Sequence, residues 1–457
     1  MAQHQRLFGT DGVRGIVGRE LTPDFVLRLA SAIGAFFGEG TRILIGRDVR
    51  AGGQMIERIV SAALLASGAR VYEAGLVPTP ALQYAVKSES FDGGVMITAS
   101  HNPPEYNGIK VIGPDGIEID RASEEEIERI FAEEKYSFVD WRKLTYEVSR
   151  YEGVIEKYVK GVIEHVDTEI VRSRGFKVLV DPANSVGSLT TPLIARMLGI
   201  KVITVNGDLN PLFSGRAPEP TPENLEQTSR VVAASDVVFG VAHDGDADRA
   251  IIIDDRGRVQ WGDRTAILLA RYLKEFRGER GTRIYTAVSS TNLVEKLLRP
   301  LGIEVVWTKV GSVGIARAMK ADAGTLCGFE ENGGFMYPPF QYVRDGGMTF
   351  ALFAEMLARM GKKPSELYEE LPRTYVLKER IRMGRDEAQR AVEAVKEAFK
   401  GYKMISVDGV RVEGEDFWLL VRPSGTEPLL RVMIEAGDED MARKLWETVK
   451  SVIGVSG

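Results

Sequence analysis

The sequence predicts three similar α/β domains with mixed sheets covered by helices, plus a smaller C-terminal α+β domain, all arranged around a central cleft. A βαβ pattern that occurs three times indicates the three similar domains, and a change of pattern from about Pro372 indicates the fourth. The length of 457 residues agrees with several domains, because a single hydrophobic core stops growing at about 250–300 residues.

Each copy of the pattern has a β-branched run, a small polar loop, an amphipathic helix, a glycine turn and a second β-branched run. Such a unit places its two strands parallel and implies a sheet that is covered by helices. The three copies are TRILIGRDVRAGGQMIERIVSAALLASGARVYEAG from Thr41, FKVLVDPANSVGSLTTPLIARMLGIKVITVN from Phe176, and TRIYTAVSSTNLVEKLLRPLGIEVVWTKV from Thr282.

A second part of the repeat follows each unit, as an apolar run that ends in a polar, glycine-containing loop. Because open α/β sheets bind ligands at the carboxyl ends of their strands, we expect the three loops to meet in one cleft that contains Ser100, Asp244 and Glu330. Three unrelated α/β segments with coincidental loops are the alternative. The three runs are GVMITASHN from Gly94, VVFGVAHDGDADR from Val237 and TLCGFEENGG from Thr325.

The last part of the chain has a charged amphipathic helix pattern, several short strand patterns and a second helix pattern, which is typical of an α+β domain. We place the four domains at residues 1–150, 151–253, 254–370 and 371–457. In this order, we expect them to carry a serine loop, a metal-binding loop, a sugar-binding loop and a phosphate-binding loop.

Composition limits the classes of partner and the compartment. The formal net charge is −6 and no Lys/Arg-rich run occurs, which argues against a nucleic-acid partner, although a local pocket can still attract a small anion. The single cysteine, Cys327, excludes an intrachain disulfide and a cysteine-based zinc cage, and we expect it to be a buried strand residue. Without a signal-peptide pattern or a membrane-spanning run, the sequence predicts a cytoplasmic protein with no membrane partner.

Three aspartates alternate in DGDADR, as Asp244, Asp246 and Asp248. Their carboxylates can converge on one hard cation, Mg²⁺ or Ca²⁺. A calcium EF-hand is excluded, because Arg249 stands where its loop needs a glycine and both flanks have strand patterns. A solvated acidic turn is the remaining alternative, but three carboxylates beside buried strands would repel one another without a cation.

Ser100 follows a buried strand pattern and is therefore a candidate nucleophile. A hydrolase with a Ser-His-Asp triad is the competing class. His101 is adjacent to Ser100 in sequence and poorly placed to accept its proton, and the Gly-x-Ser-x-Gly motif is absent.

Two further motifs suit a sugar phosphate. In RPSGTEP, Arg422, Ser424 and Thr426 together with backbone N–H groups form a phosphate receptor pattern, with a plain turn as the alternative. In GFEENGG, Glu330 and Asn332 offer an acceptor and a donor to neighbouring hydroxyls. Together with a nucleophile and a metal, these features describe phosphoryl transfer on a sugar phosphate.

Other arginines occur near glycines, in FGTDGVRG and GRDVRAGG. Arg14 in the first stretch, and Arg47 and Arg50 in the second, are equally compatible with ordinary surface charge.

Taken together, these motifs resemble the signature loops of the α-D-phosphohexomutases, over essentially the whole chain. The resemblance implies four domains around a cleft and a Ser100 that is carried as phosphoserine. That phosphoserine would donate its phosphoryl group to a 1- or 6-phosphosugar and form a hexose 1,6-bisphosphate. The motifs that carry the resemblance are FGTDGVRG, TASHNPPEYNGIK, DGDADR, GFEENGG and RPSGTEP.

The resemblance also implies roles for individual residues. It implies one Mg²⁺ per chain, with ligands from Asp244, Asp246, Asp248 and the phosphorylated Ser100. The residues implied to stand beside the reacting serine are Arg14, Lys110 and Arg249, with Lys110 as the candidate for proton transfer. The residues implied to bind the sugar hydroxyls are Glu330 and Asn332, and those implied to hold the non-reacting phosphate are Arg422, Ser424, Gly425 and Thr426.

Two positions depart from the family pattern. Glu331 and Asn332 follow Glu330 where many relatives read Glu-x-Ser-Gly-His, and Ser312 stands where several relatives have a histidine. FGTDGVRG and RPSGTEPLLRVM look most like phosphoglucosamine mutases, and phosphomannomutase/phosphoglucomutase enzymes of broad specificity share much of the pattern. We expect a small sugar phosphate as the partner, with a homo-oligomer left open, and a sugar-phosphate binding protein without turnover is the alternative of another class.

Overall fold

Four separate β-sheets follow one another along the chain, in agreement with the predicted fold class. The structure is a computed structural model and describes residues 6–9, 11–145, 147–425 and 428–455. Within these ranges no helix has both the length and the apolar character that a membrane crossing needs.

The first domain has a six-stranded sheet in the order β1-β5-β4-β2-β3-β6. Its elements are β1 (Val13–Ile16), α1 (Pro23–Phe37), β2 (Arg42–Arg47), α2 (Gly53–Ala66), β3 (Arg70–Leu76), α3 (Thr79–Ser88), β4 (Gly93–Ile97), β5 (Tyr106–Ile112), α4 (Arg121–Glu133), a 3-10 turn (Trp141–Lys143) and β6 (Ser149–Arg150). Helix α1 begins after Thr22, because the Thr22 hydroxyl accepts a hydrogen bond from Phe25 N and a proline occupies the first helical position.

The second domain has a five-stranded sheet in the order β11-β10-β9-β7-β8. Its elements are α5 (Val154–Glu164), α6 (Thr168–Ser173), β7 (Lys177–Asp181), a 3-10 turn (Val186–Leu189), α7 (Thr191–Met197), β8 (Lys201–Thr204), α8 (Glu226–Ala233), β9 (Phe239–His243), β10 (Ala250–Ile253) and β11 (Val259–Gln260).

The third domain has a four-stranded sheet in the order β13-β12-β14-β15. Its elements are α9 (Gly262–Glu275), β12 (Arg283–Ala287), α10 (Leu293–Leu298), a 3-10 turn (Arg299–Leu301), β13 (Glu304–Thr308), α11 (Ser312–Lys320), β14 (Thr325–Phe329), β15 (Phe335–Met336), α12 (Gly346–Met360) and α13 (Pro364–Glu369).

The predicted repeat is confirmed by the strand order. Four strands recur in the same order, as β5-β4-β2-β3, β10-β9-β7-β8 and β15-β14-β12-β13. In each set three strands are parallel and the fourth is antiparallel. The connection into the antiparallel strand therefore lies at the carboxyl end of its sheet in all three domains. We call these connections the Ser100 loop (98–105), the Asp244 loop (244–249) and the Glu330 loop (330–334).

Helix α12 holds the second and third domains together. It is buried along almost its whole length, as expected for a helix that is apolar on all sides. Its Phe353 ring lies 5.2 Å from the ring of Phe239 in β9, and Asp345 at its N-terminus accepts a 2.5 Å hydrogen bond from the hydroxyl of Tyr158 in α5. One hydrophobic core thus includes buried residues from the first three domains, which fixes their loops relative to one another.

The fourth domain has an antiparallel five-stranded sheet in the order β16-β20-β19-β18-β17 and a separate core. The guanidinium of Arg411 lies between the rings of Trp307 and Trp418 and donates to the carbonyls of Val288 and Ser290, which joins this domain to the third. Its elements are β16 (Tyr375–Arg382), α14 (Arg385–Ala398), β17 (Lys403–Ile405), β18 (Val410–Glu413), β19 (Phe417–Pro423), β20 (Leu429–Ala436) and α15 (Glu439–Ile453).

Candidate active site

Ser100 is completely buried at the start of a sharp turn after β4. Its backbone has a left-handed φ of 50°, which is uncommon for a residue with a side chain. The Ser100 hydroxyl donates a 2.6 Å hydrogen bond to Oδ2 of Asp244. The Ser100 loop and the Asp244 loop touch here, because a Cβ on Gly245 would lie 2.4 Å from the Ser100 carbonyl oxygen. Only glycine permits this approach.

The predicted aspartates come together beside this hydroxyl. Asp244, Asp246 and Asp248 are buried and each offers an oxygen within 4.8 Å of the others. Oδ1 of Asp246 and Oδ1 of Asp248 are buried without a hydrogen-bond donor among the described residues. An oxygen-only set with uncommitted buried lone pairs fits a hard cation such as Mg²⁺.

The charges around the aspartates are strongly coupled. Burial and the carboxylates of Asp248 and Asp246 raise the pKa of Asp244 well above its ordinary value. Lys110 lies 3.1 Å from Oδ2 of Asp246 and 3.5 Å from Oδ2 of Asp248. Burial lowers the pKa of Lys110, but Asp246, Asp248 and Glu118 outweigh that effect and raise the pKa above its ordinary value. Lys110 is therefore a charged ammonium in this arrangement.

Arg14 and Arg249 flank the Ser100 loop from two domains. Arg14 donates a 2.7 Å hydrogen bond to Oδ1 of Asn102, and the buried Arg249 lies 2.9 Å from Nδ1 of His101. Burial, followed by the charges of Arg249 and Arg14, lowers the pKa of His101 well below its ordinary value. Since His101 Nδ1 is also 3.5 Å from the Ser100 hydroxyl, against 2.6 Å for Asp244, the geometry does not favour a Ser-His-Asp triad.

Glu330 reaches this cluster and Asn332 stands at its margin. Oε1 of Glu330 accepts from Gly311 N at 3.2 Å, and Oε2 accepts from Arg344 at 3.1 Å. Oδ1 of Asn332, a partly buried residue, accepts from Gly334 N. Both residues lie in the Glu330 loop at the carboxyl end of the third sheet.

The predicted phosphate-binding motif includes the end of β19 and the residues before β20; we call residues 422–428 the Arg422 loop, of which 422–425 and 428 are described. Nε of Arg422 forms a 3.1 Å ion pair with Asp408, whose carboxylate also accepts from Val310 N. Ser424 N donates to the Leu429 carbonyl, and Gly425 is exposed. Through Asp408 the described part of this loop adjoins Val310 in the third domain, next to Gly311, whose N–H donates to Glu330. Thr426 lies outside the described residues.

Arg344 is a residue of the site that the sequence analysis missed. It is buried and donates to Asp248 at 2.6 Å, to Glu330 at 3.1 Å and to Asp11 at 3.3 Å, so it links the first three domains. Ser312, at the position of the family histidine, donates to the same Asp11 at 3.1 Å. The available signal was the RDGG stretch, because Asp345 caps α12 and places the preceding arginine at the carboxyl end of the sheet.

In a comparison with known proteins, all four domains match domain models of one family. Models of phosphoglucomutase/phosphomannomutase alpha/beta/alpha domains I, II and III match residues 5–137, 156–257 and 261–375, and the C-terminal domain of that family matches residues 379–451. The chain belongs to the phosphoglucomutase/phosphomannomutase family. It is therefore a phosphohexomutase, an isomerase that transfers a phosphoryl group within a hexose phosphate, as the motifs predicted.

Relatives within the phosphoglucomutase/phosphomannomutase family match along their full length. A phosphoglucosamine/phosphogalactosamine mutase of Sulfurisphaera tokodaii is 53% identical over 98% of this chain and 99% of that protein. A phosphoglucomutase/phosphomannomutase of Thermococcus kodakarensis is 40% identical over 97% of each. The crystal structure of a protein of Thermus thermophilus described as a phosphomannomutase superimposes with a TM-score of 0.84 at 29% identity, over 99% of this chain and 100% of that one.

Proposed function

We propose that this phosphohexomutase interconverts hexosamine 6-phosphate and hexosamine 1-phosphate, and that glucosamine phosphate is its preferred substrate. The observation that carries the proposal is the Ser100 hydroxyl, held 2.6 Å from Asp244 among three buried aspartates. The 53% identity to a phosphoglucosamine/phosphogalactosamine mutase supports the choice of sugar.

In the proposed resting state Ser100 carries a phosphoryl group. When a sugar phosphate binds, one of its hydroxyl oxygens forms a bond to that phosphorus and the bond from phosphorus to Ser100 Oγ breaks. The proton of the attacking hydroxyl is passed, by way of Lys110, to the released Ser100 oxygen. The product is a hexose 1,6-bisphosphate. After the bisphosphate turns over in the cleft, Ser100 Oγ takes the other phosphoryl group and the isomeric monophosphate is released.

We infer that Asp244, Asp246 and Asp248 hold one Mg²⁺ together with an oxygen of the phosphorylated Ser100. When bound, the cation would neutralise charge on the transferring phosphoryl group. Arg14 and Arg249 stand on either side of Ser100 and would bind the equatorial phosphoryl oxygens. Arg249 suits this role because its Nε is buried without a hydrogen-bond partner among the described residues.

Lys110 is the proposed proton-transfer residue. It is buried, and its ammonium hydrogen-bonds to Asp246. With Ser312 in place of a histidine, a lysine at this point can hold or release a proton next to the substrate oxygen. Its raised pKa keeps Lys110 charged in the arrangement described, so it would stabilise negative charge on the leaving Ser100 oxygen and pass a proton to that oxygen as the charge develops.

The substrate would span from Ser100 to the Arg422 loop. Glu330 and Asn332 would bind the sugar hydroxyls in both orientations of the ring. The group proposed to hold the phosphate that is not reacting is Arg422, Ser424, Gly425 and Thr426. Burial lowers the pKa of Arg422, and the carboxylates of Asp408, Glu331 and Glu330 oppose that effect. Arg422 therefore lies close to the Glu330 loop, which supports a phosphate site next to the sugar site.

A broad phosphoglucomutase/phosphomannomutase activity is the second candidate, favoured by the relative of that name at 40% identity. One assay separates the two: initial rates with the 6-phosphates of glucosamine, galactosamine, glucose and mannose, at equal concentration with Mg²⁺ and the matching 1,6-bisphosphate. A rate on glucosamine 6-phosphate at least tenfold above those on glucose and mannose supports the first. Equal rates on all sugars support the second, and binding without any conversion would overturn both.

A further inference from the structure

Arg50 lies directly behind the Ser100 loop. Its side chain is completely buried. Its two terminal guanidinium nitrogens donate hydrogen bonds to backbone carbonyl oxygens. All four of the carbonyls described belong to the loop or to the strand that follows it. They are the carbonyls of Ser100 at 2.6 Å, Asn102 at 2.6 Å, Pro103 at 2.7 Å and Tyr106 at 3.1 Å.

A second set of contacts fixes Arg50 itself. Asp48 accepts from the backbone N and from Nε of Arg50, at 2.9 and 3.1 Å. Oδ2 of Asp48 also accepts a 2.6 Å hydrogen bond from the Thr98 hydroxyl, and the Thr98 oxygen accepts from Ser100 N at 2.8 Å. The two ends of the turn are therefore tied to one buried ion pair. On its other side the guanidinium lies 4.8 Å from the ring centre of Phe213 in the second domain.

This network stabilises a conformation of the Ser100 loop that is unfavourable by itself. Its left-handed Ser100 costs free energy that the surroundings must offset, and its carbonyl dipoles point toward one place. A planar guanidinium offers five N–H donors in a fixed fork, which matches several carbonyls at once. A lysine would bring the same charge but a single nitrogen.

The second domain contains the same device behind the Asp244 loop. Asp181 ends β7, the strand equivalent to β2, which Asp48 follows. Asp181 accepts from Nε of Arg216 at 2.9 Å, and Arg216 donates at 2.6 Å to the carbonyl of His243, the residue before Asp244. Both domains therefore have a buried Asp–Arg pair next to a loop of the site, although Arg50 is two positions from Asp48 and Arg216 is 35 positions from Asp181.

We propose that Arg50 is a positioning residue, which holds the Ser100 loop so that the serine oxygen faces the Asp244 carboxylate. The proposal rests on the proposed function for its effect on turnover, but its effect on the loop does not depend on that function. Since a misplacement of about 1 Å can cost about 10²-fold in rate, Arg50 should act on kcat and leave the substrate contacts of Arg422 and Glu330 unchanged.

The test compares Arg50→Lys with the unmodified enzyme in the presence of Mg²⁺. We expect kcat to fall about ten- to hundredfold while KM for the sugar phosphate changes less than about threefold. Amide hydrogen exchange, measured by mass spectrometry on peptides that cover 98–106, should become at least tenfold faster. The exchange readout needs no substrate, so it decides the positioning role even if the proposed sugar is wrong.

Arg411→Lys is the matched control for exchange. Arg411 is also completely buried, pairs with Glu413 and donates to two backbone carbonyls, but these belong to the third domain. It should lower the unfolding temperature by a similar amount and leave exchange of 98–106 unchanged. Faster exchange of 98–106 in this control, equal to that in Arg50→Lys, would reduce the role of Arg50 to general stability and overturn the proposal.

Two further outcomes are decisive. A folded Arg50→Lys enzyme with kcat within twofold of the unmodified enzyme would overturn the proposal. If Arg50→Lys does not fold, Thr98→Val removes the hydroxyl between Asp48 and Ser100 N with little change of shape. That variant should lose about tenfold in kcat with faster exchange of 98–106, and unchanged values of both would equally overturn the proposal.

Discussion

The region around Ser100 and the region around Arg422 bind the two ends of one proposed substrate, yet they are built in opposite ways. Ser100 and Asp244 have no exposed surface, and three domains contribute groups to their surroundings. The Arg422 loop belongs to one domain, its Gly425 is exposed, and a Cβ there would meet nothing within 4 Å. The proposed reaction thus takes place in a buried centre, whereas the proposed site of the distal phosphate lies on a more exposed loop.

The two regions also differ in charge. Around Ser100, acidic groups that repel one another are offset by Lys110 and Arg344, so the centre holds fixed charges of both signs. In the fourth domain, Arg422 stands opposite Arg431 on the neighbouring strand. Like charges in such a pair are unfavourable, and Asp408, which lies 3.1 Å from Nε of Arg422, offsets part of that repulsion. The first region thus combines carboxylates with buried cations, whereas two arginines stand opposite each other in the second, where we propose that a phosphate binds.

The largest expected effect on activity is that of a substitution at Ser100. Ser100→Ala removes the oxygen that carries the phosphoryl group, and we expect kcat to fall by at least about 10³-fold. Peptide mass spectrometry should find phosphate on the peptide with Ser100 in the unmodified protein and none at this position in the variant. A variant with turnover near that of the unmodified enzyme would show that another group accepts the phosphoryl.

Removal of the metal should have the next largest effect. Excess chelator should abolish turnover and Mg²⁺ should restore it, while Asp246→Asn should lose at least about 100-fold, because the cation and its charge neutralisation are lost. Asp322→Asn is a control of equal charge change, since Asp322 pairs with Arg283 far from the loops. Full activity in excess chelator would remove Mg²⁺ from the mechanism.

The reacting loops are predictable from sequence because each follows a strand whose pattern is local. Apolar runs that end in small polar residues specify both the strand and the end of the sheet, so the repeat alone is enough to place Ser100 and Asp244 in one cleft. Strand β16 was missed, because it is an edge strand with alternate exposed, charged positions and its sequence is typical of a surface segment.

Two buried arginines, Arg50 and Arg344, were not assigned a role by sequence reasoning. Arg50 and Arg344 look like surface charge in a linear sequence, and their significance arises from contacts with distant residues. Arg344 reaches Asp11 across 333 positions, and Arg50 reaches the Ser100 carbonyl across 50. No local pattern encodes such partners. The role of Gly245, which permits the close approach to the Ser100 carbonyl, could not be predicted from the sequence either, because glycine occurs in turns for many reasons.

A smaller effect on the kinetics is expected from a substitution in the Arg422 loop. Arg422→Ala removes a charge-assisted contact of about 1.5–3 kcal/mol, which corresponds to roughly ten- to hundredfold in apparent affinity. KM should rise for both the 1-phosphate and the 6-phosphate, because the same loop is used in both half-reactions. Phosphate on Ser100 should persist, and Arg443→Ala on α15 should have no effect. A KM that is unchanged in both directions would show that RPSGTEP is a plain turn.

The smallest effect is expected from Gly425→Ala, with Gly245→Ala as its matched partner, because the same added methyl group meets opposite surroundings. At Gly425 it enters open space, the backbone N–H proposed to bind phosphate remains, and we expect kcat and KM within about threefold of the unmodified values. At Gly245 it meets the Ser100 carbonyl at 2.4 Å, so the two loops must separate and kcat should fall about 10²-fold. Thermal unfolding and kinetics of both variants, measured side by side, decide the comparison. Equal losses would mean that the Arg422 loop is as closely fitted as the serine centre, and that the open loop described here closes tightly on its phosphate.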